Sequence, residues 1–304
     1  MVSLGKLTAG HEDYYEREVA GGAEDYYAMR GEAAGEWTGS GAQALGLQGA
    51  ASGGQLRALL EGRDPATDEM LRSRAVHVTG WDVTYSPPKS VSVLHAAGDA
   101  RIAAETLAAH RTAVRSALSY LESDACWTRR GAGGTTRLVG EGFVAVEYVH
   151  RVSRAGDAQL HSHVVMANLT RADGRWTTLD GQALYANLKT ASALYHAELR
   201  AELTRRLGVG WEPVAPGKLA SEIRGVPRSV LRDQSRRRQE ILRRMEERGE
   251  SSPRAAQAAA LDTRKAKDYD VDRHDVALDL QRRIADKGLG PAELAKVVDH
   301  QRLA

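Results

Sequence analysis

The sequence predicts an α+β fold, with an antiparallel sheet in the middle of the chain and a helical C-terminal appendage. Three observations carry this. Short β-rich runs punctuated by turn residues crowd residues 77–179. Two long segments, 99–121 and 181–206, repeat their apolar residues at helical spacing instead. Residues 227–304 show scarcely any strand signal, and this segregation of strands from helices belongs to α+β proteins rather than to alternating α/β ones.

The first 70 residues mix acidic, Gly-rich and paired-tyrosine segments of weak periodicity, and read as short helices and loops. The run HVTGWDVTY at 77–85 alternates and is β-rich; Ser86-Pro87-Pro88 ends it at a tight turn, and a helix begins near Lys89. Asp99 is placed to cap a second helix reaching Leu121, with Ile102, Leu107, Val114, Leu118 and Leu121 on one stripe. Strand candidates follow at 126–130, 135–139 and 142–151. A polar turn at 153–157 leads into 159–170, and Ala172-Asp173-Gly174 leads into 176–179, so these segments are expected to pair as hairpins of an antiparallel sheet. Residues 181–206 read as a long amphipathic helix that stops before Gly208, and three or four helices fill 227–304. A boundary falls within 217–224, and no internal repeat or low-complexity linker is evident.

Composition bounds the class. The 304 residues are 27% charged and 42% hydrophobic, with a mean hydropathy of −0.44. Collagen-like, membrane-spanning and largely disordered chains are excluded, and one large or two medium domains are expected. The single cysteine, Cys126, excludes a disulfide scaffold and suits a reducing cytoplasm. No run has the length of a signal-peptide core or a membrane span, so a cytoplasmic location without membrane insertion is expected.

The net charge of +2 is unevenly spread: residues 1–70 hold five basic and twelve acidic side chains. Between Arg224 and Arg248 nine arginines face four acids. Such a run suits a helix lying along phosphates, or equally a solvated helix face. With the acidic end excluded, Arg236, Arg237 and Arg238, together with Lys89, Arg129, Arg130 and Arg137, are the candidate phosphate contacts. Trp81, Trp127, Trp176 and Trp211 read first as packing residues and second as platforms for unpaired bases.

Three histidines fall in one 14-residue window, HRVSRAGDAQLHSH. On a strand, side chains at i and i+2 leave the same face about 7 Å apart, so His161 and His163 are placed to converge on one ion. A turn around Ala155-Gly156-Asp157 returns His150 beside them. Three neutral imidazoles suit a borderline divalent cation such as Mn, Co, Ni or Zn, and also Mg where substrate oxygens complete the shell. Positions left open on the ion point to Lewis-acid work rather than to a structural staple. His77, His95, His110, His196, His274 and His300 stand apart and read as structural.

A cation that grips a phosphate still needs an attacking group. Tyr14-Tyr15 and Tyr26-Tyr27 form two pairs separated by ten residues, although the whole chain has only ten tyrosines. Packed rings with wetted hydroxyls would account for them; so would a nucleophile, since a phenol with its usual pKa near 10 needs a cation or base beside it. Asp82, in WDVTYS, is placed to take the second N–H of a ligating histidine or to accept the tyrosyl proton, and equally to sit in a solvent salt bridge.

The order YY…DYY, then GWDVTYSPPKSVSVL, then HRVSRAGDAQLHSHVVMANLT resembles the TrwC/TraI-type (MobF) conjugative relaxases of the HUH endonuclease superfamily. The tail RGVPRSVLRDQSRRRQEI…ALDTRKAK is similar to that family too, so the resemblance covers almost the whole chain. It implies a central five-stranded antiparallel sheet flanked by helices, a palm over residues 1–220 and helical fingers over 221–304 that close on single-stranded DNA. It further implies strand-specific cleavage and religation at the nic site of an origin of transfer through a 5′-phosphotyrosine. His150, His161 and His163 match the metal triad, and Asp82 matches the aspartate that orients a histidine and activates the tyrosine. Tyr14 matches the first catalytic tyrosine and Tyr26 the second, with Tyr15 and Tyr27 their neighbours.

The implied cofactor is one divalent ion, Mg, Mn, Zn, Ni or Co. The implied partners are the hairpin and single strand at nic and the accessory and coupling proteins of conjugation, bound by a monomer. Two departures are visible: Ser162 stands where the superfamily places a bulky hydrophobe, and the spacer between tyrosine pairs is long. The helicase motif GxxxxGK[ST] does not occur in these residues. Rolling-circle initiators share the same chemistry, a hairpin-binding module would lack it, and a water-using metal nuclease would leave no protein–DNA adduct.

Overall fold

A computed structural model describes residues 1–8, 35–153, 155–263 and 273–298. Tyr14, Tyr15, Tyr26, Tyr27 and His300 lie outside the described residues. In chain order the elements are β1 (Val2–Thr8), β2 (Glu36–Thr38), α1 (Ser40–Ala44), α2 (Gly53–Glu61), β3 (Val78–Tyr85), α3 (Lys89–Ala97) and α4 (Ala100–Ala125). Next come β4 (Trp127–Arg130), β5 (Thr136–Val139), β6 (Ala145–Val152), β7 (Ala158–Ala167), β8 (Thr170–Ala172) and β9 (Arg175–Thr177). The helices α5 (Gly181–Leu207), α6 (Arg228–Asp233), α7 (Arg236–Glu247), α8 (Pro253–Asp262), α9 (Arg273–Asp286) and α10 (Pro291–Val297) complete the order.

The α+β class holds, with a five-stranded antiparallel sheet in the order β1-β3-β7-β6-β2. Its composition differs from the expectation in two ways. The pairs β4-β5 and β8-β9 form separate two-stranded ribbons. Both edge strands instead come from the N-terminal region read as helices and loops. Their local signal is weak for a physical reason: β2 has three residues, and in β1 only Val2 and Leu7 are buried. Long-range pairing supplies the rest, from Val2↔Tyr85 to Leu7↔Gly80. Gly80 is demanded there, since a Cβ would lie 2.5 Å from the carbonyl oxygen of Met166.

Several expected boundaries hold closely. Asp99 caps α4, its Oδ1 accepting from the backbone N–H of Ile102 at 2.8 Å. The charged run of 224–248 holds two helices rather than one. They part at Gln234-Ser235, where the buried Gln234 side chain turns to accept from the backbone N–H of Ala158 at 2.9 Å. Five helices lie in the described part of 227–304, so the break adds one to the expected number.

Two compact units emerge. One comprises residues 1–86, 110–150 and 161–199; the other comprises 87–109, 151–160 and 200–304. In the first, side chains alternate across the sheet. Val146, Tyr148 and Val165 on one face join Leu7, Ala51 and Leu56 in an apolar cluster. The other face carries Trp81, Val83, Tyr85, Glu147, Ser162 and Val164, all buried. It packs against α4 and α5, with Trp81 close against Gly181. In the second unit Met245, Ala255 and Ala259 make a small core between α7 and α8. No helix among the described residues is long and apolar enough to cross a membrane.

Candidate metal centre

The β6–β7 hairpin generates the site. Its turn is closed by Ser153 C=O accepting from Gly156 and by Ser153 N–H donating to Asp157 C=O, both at 2.9 Å. Gly156 supplies the positive φ of 68° that the turn needs. Strand parity then places His150 on the same sheet face as His161 and His163. His150 is buried and the other two are half-buried. The three ring centroids are 5.1, 5.2 and 5.1 Å apart, and one nitrogen from each ring lies within 4.8 Å of the others. The rings meet at 60–78° rather than stacking, so their edges converge.

Asp82 reaches this group from β3, because the β3–β7 register sets Thr84 opposite His163 and Asp82 opposite Val165 on the same face. Nδ1–H of His163 donates to the Asp82 carboxylate, with Nδ1 at 2.8 and 2.9 Å from its oxygens. Thr84 Oγ1 donates to Asp82 Oδ1 at 3.3 Å and lies 3.3 Å from the same histidine nitrogen. A proton held on Nδ1 would leave the Nε2 lone pair as the one that a cation could take. Three imidazoles, one of them backed by a carboxylate, fit a borderline divalent ion with coordination positions left for substrate.

The candidate basic residues divide by what they already hold. Lys89 Nζ donates to Ala158 C=O at 2.8 Å and to Gln159 Oε1 at 2.6 Å. Burial pulls its ammonium down to about 8, with Asp157 and Glu222 opposing. Arg236 Nε pairs with the buried Asp157 at 2.7 Å. Arg237 donates to Thr263 C=O at 2.7 Å and Ala260 C=O at 2.6 Å, tying α7 to the end of α8. Arg238 is exposed.

On the β4–β5 ribbon Arg129 and Arg137 are cross-strand partners, both exposed, at 2.9 and 3.9 Å from Asp180. The Arg137 guanidinium lies 4.3 Å from the Trp127 ring centre. Arg130 is half-buried and pairs with Asp173 at 3.6 Å. Trp81 is a packing residue; the Trp127 and Trp211 indoles donate to Asp124 C=O at 2.8 Å and Thr204 Oγ1 at 3.0 Å.

The TrwC relaxase family model matches residues 8–286. The chain belongs to this family. Among curated proteins it is 33% identical over 261 residues to the multifunctional conjugation protein TraI of Escherichia coli, and 32% identical to that of strain K12. Both alignments cover 81% of this chain but 14% of the relative, so the chain spans about a seventh of their length. Among solved structures it is similar to the conjugative relaxase TrwC in complex with oriT DNA. The metal-free form gives a TM-score of 0.81 at 31% identity, and the metal-bound form 0.80 at 30%. Each alignment covers 95% of this chain and 99% of that one. A TrwC complex with a 27-mer comprising the recognition hairpin and the cleavage site matches at 0.79. The relaxase fold of this family is thus the fold of this chain.

Sequence reasoning missed Thr84, which buttresses Asp82, and Asp157, which anchors Arg236. It also took His110 as an isolated structural histidine, whereas His110 contacts Ser162, the residue between two candidate ligands. Strand alternation was the available signal for Thr84; nothing local marked the other two.

Proposed function

We propose that this chain is a relaxase domain that cuts one strand of plasmid DNA at the nic site of an origin of transfer, holds the 5′ end covalently, and rejoins it. The observation that carries this reading is the convergence of His150, His161 and His163 beside Asp82, in a chain of the TrwC relaxase family.

In this mechanism the phenolic oxygen of Tyr14 attacks the scissile phosphorus in line. The new O–P bond forms as the P–O3′ bond breaks; the phenol passes its proton to the Asp82 carboxylate or to solvent water, and the leaving 3′ oxygen takes a proton from solvent water to become a hydroxyl. The phosphotyrosine diester keeps the bond energy, so religation needs no nucleotide cofactor. Asp82 holds the proton of His163 on Nδ1 and fixes its ring. Tyr26 serves a second transfer, with Tyr15 and Tyr27 beside the acting residues. A divalent ion on the three histidines would neutralise charge building on the phosphate. The all-nitrogen donor set favours Mn, Co, Ni or Zn over Mg, which prefers oxygen.

The relatives' oriT complexes support the same DNA here, hairpin and single strand together. We assign catalysis to residues 1–220 and DNA clamping to 221–304, in a monomer acting in the cytoplasm with accessory and coupling proteins. Phosphate contacts fall to the exposed residues Arg129, Arg137, Arg236 and Arg238, the first three already paired with Asp180 or Asp157, with Arg130, Lys89 and Arg237 shaping the surface around them.

The test is cleavage of a nic oligonucleotide with Mn²⁺, resolved on a denaturing gel. A denaturant-resistant protein–DNA band is expected. Turnover without such a band would mean a water-using nuclease, binding without cleavage would mean a recognition module, and action only on a replication-origin sequence would mean a rolling-circle initiator.

A further inference from the structure

Behind the triad, on the opposite face of the same sheet, lies a chain of buried polar groups that the mechanism does not use. Ser162 sits between His161 and His163 on β7, so its side chain points away from them. It is 0% exposed. Its hydroxyl donates to Glu147 Oε1 at 2.7 Å. That commits His110 Nε2, 2.8 Å from Ser162 Oγ, to be the donor to it. His110 Nδ1 is then the acceptor for the Tyr195 hydroxyl at 2.8 Å. His110 and Tyr195 are 2% exposed or less, and Glu147 is 7% exposed. Burial raises both the Glu147 carboxyl and the Tyr195 phenol above their usual ranges. Every link in the sequence Tyr195 to His110 to Ser162 to Glu147 has one donor and one acceptor, so each group has a defined orientation.

The placement of these links matters more than their number. The Ser162–Glu147 bond joins β7 to β6 at a point flanked by two ligand positions on one strand and three residues before the ligand on the other. A slip or twist between these strands would move His150 relative to the other two imidazoles. A large apolar residue at 162 would leave Glu147 and His110 without this partner in a buried place. The serine is therefore explained by what lies behind the sheet.

We infer that Glu147, Ser162, His110 and Tyr195 are positioning residues that lock β6 against β7 from behind and so set the separation of His150 from His161 and His163. This rests on the reading of the triad as a metal centre, and the experiment separates the two claims. The whole chain is titrated with Co²⁺, following both affinity and the visible d–d absorption, which reports ligand geometry.

Ser162→Val is expected to weaken Co²⁺ binding about tenfold, the scale seen when groups supporting metal ligands are lost, and to shift the absorption bands. Ser162→Thr, which keeps the hydroxyl, is expected to restore both. Should Ser162→Val fail to fold, Tyr195→Phe carries the test, with a smaller loss and a band shift in the same sense. A Ser162→Val protein of lower Tm but unchanged Co²⁺ affinity and spectrum would overturn the positioning role while leaving the metal centre standing, as would unchanged Co²⁺ binding in a Tyr195→Phe protein used in its place. Equal damage by Ser162→Val and Ser162→Thr would overturn it too, because bulk and not the bond would be responsible. Wild type that takes up no Co²⁺, or His161→Ala that takes up as much as wild type, would overturn the metal reading and the inference with it.

Discussion

Asp82 and His163 sit on adjacent strands, two residues out of direct register, and meet at 2.8 Å through Nδ1–H of the imidazole. This contact sets which nitrogen of His163 would face a metal in the proposed centre, and it gives the first prediction. Asp82→Asn keeps the shape but allows the opposite tautomer. Mn²⁺ affinity measured by calorimetry is expected to fall about 10- to 100-fold, with the fold's Tm little changed. An unaltered affinity would show that Asp82 does not orient the ring.

Tyr14 and Tyr26 differ in assigned role. Tyr14→Phe is expected to abolish the covalent band on first cleavage while oligonucleotide binding persists. Tyr26→Phe is expected to leave first cleavage intact and to impair transfer to a second strand. A full-strength band from Tyr14→Phe would move the leading role to another tyrosine.

Arg236 and Arg238 are two residues apart and should answer differently to charge reversal. Arg238→Glu is expected to weaken single-stranded oligonucleotide binding and to lower the salt slope by about one. Arg236→Glu removes a partner of the buried Asp157 and is expected to cost about 1–3 kcal/mol in urea unfolding. Equal loss of DNA affinity with no loss of stability at Arg236 would contradict that division.

His95 provides a pH signature in its own unit. Burial, with Arg151 adding, lowers its imidazole from 6.5 to about 4. The unfolded chain therefore binds a proton in that interval that the folded chain does not, so stability falls as pH drops from 6.5 toward 4. His95→Gln is expected to flatten this part of the urea-unfolding profile. An unchanged slope would mean that His95 titrates alike in both states.

Much of the site was legible because its logic is local. His161 and His163 are two apart on a strand with clear alternation, and His150 is one hairpin away, so period and turn chemistry suffice to bring them together. Asp82 lay in an equally clear strand, and the α+β class followed from the segregation of strands and helices. The edges of the sheet were not legible: β1 and β2 are set by pairing with distant strands, not by their own residues. Arg236 and Arg237 read as a phosphate-facing run because charge is visible in sequence, whereas Asp157, their partner in the fold, lies some eighty positions away. The network through His110 and Tyr195 joins residues 85 apart and leaves no local trace.

The most direct test of the three-histidine centre is metal stoichiometry. Mn²⁺ bound per chain, measured by calorimetry and electron paramagnetic resonance, is expected to be one for wild type and to be lost in His150→Ala, His161→Ala and His163→Ala alike. Wild type that binds none, or variants that still bind one ion with wild-type affinity, would contradict it.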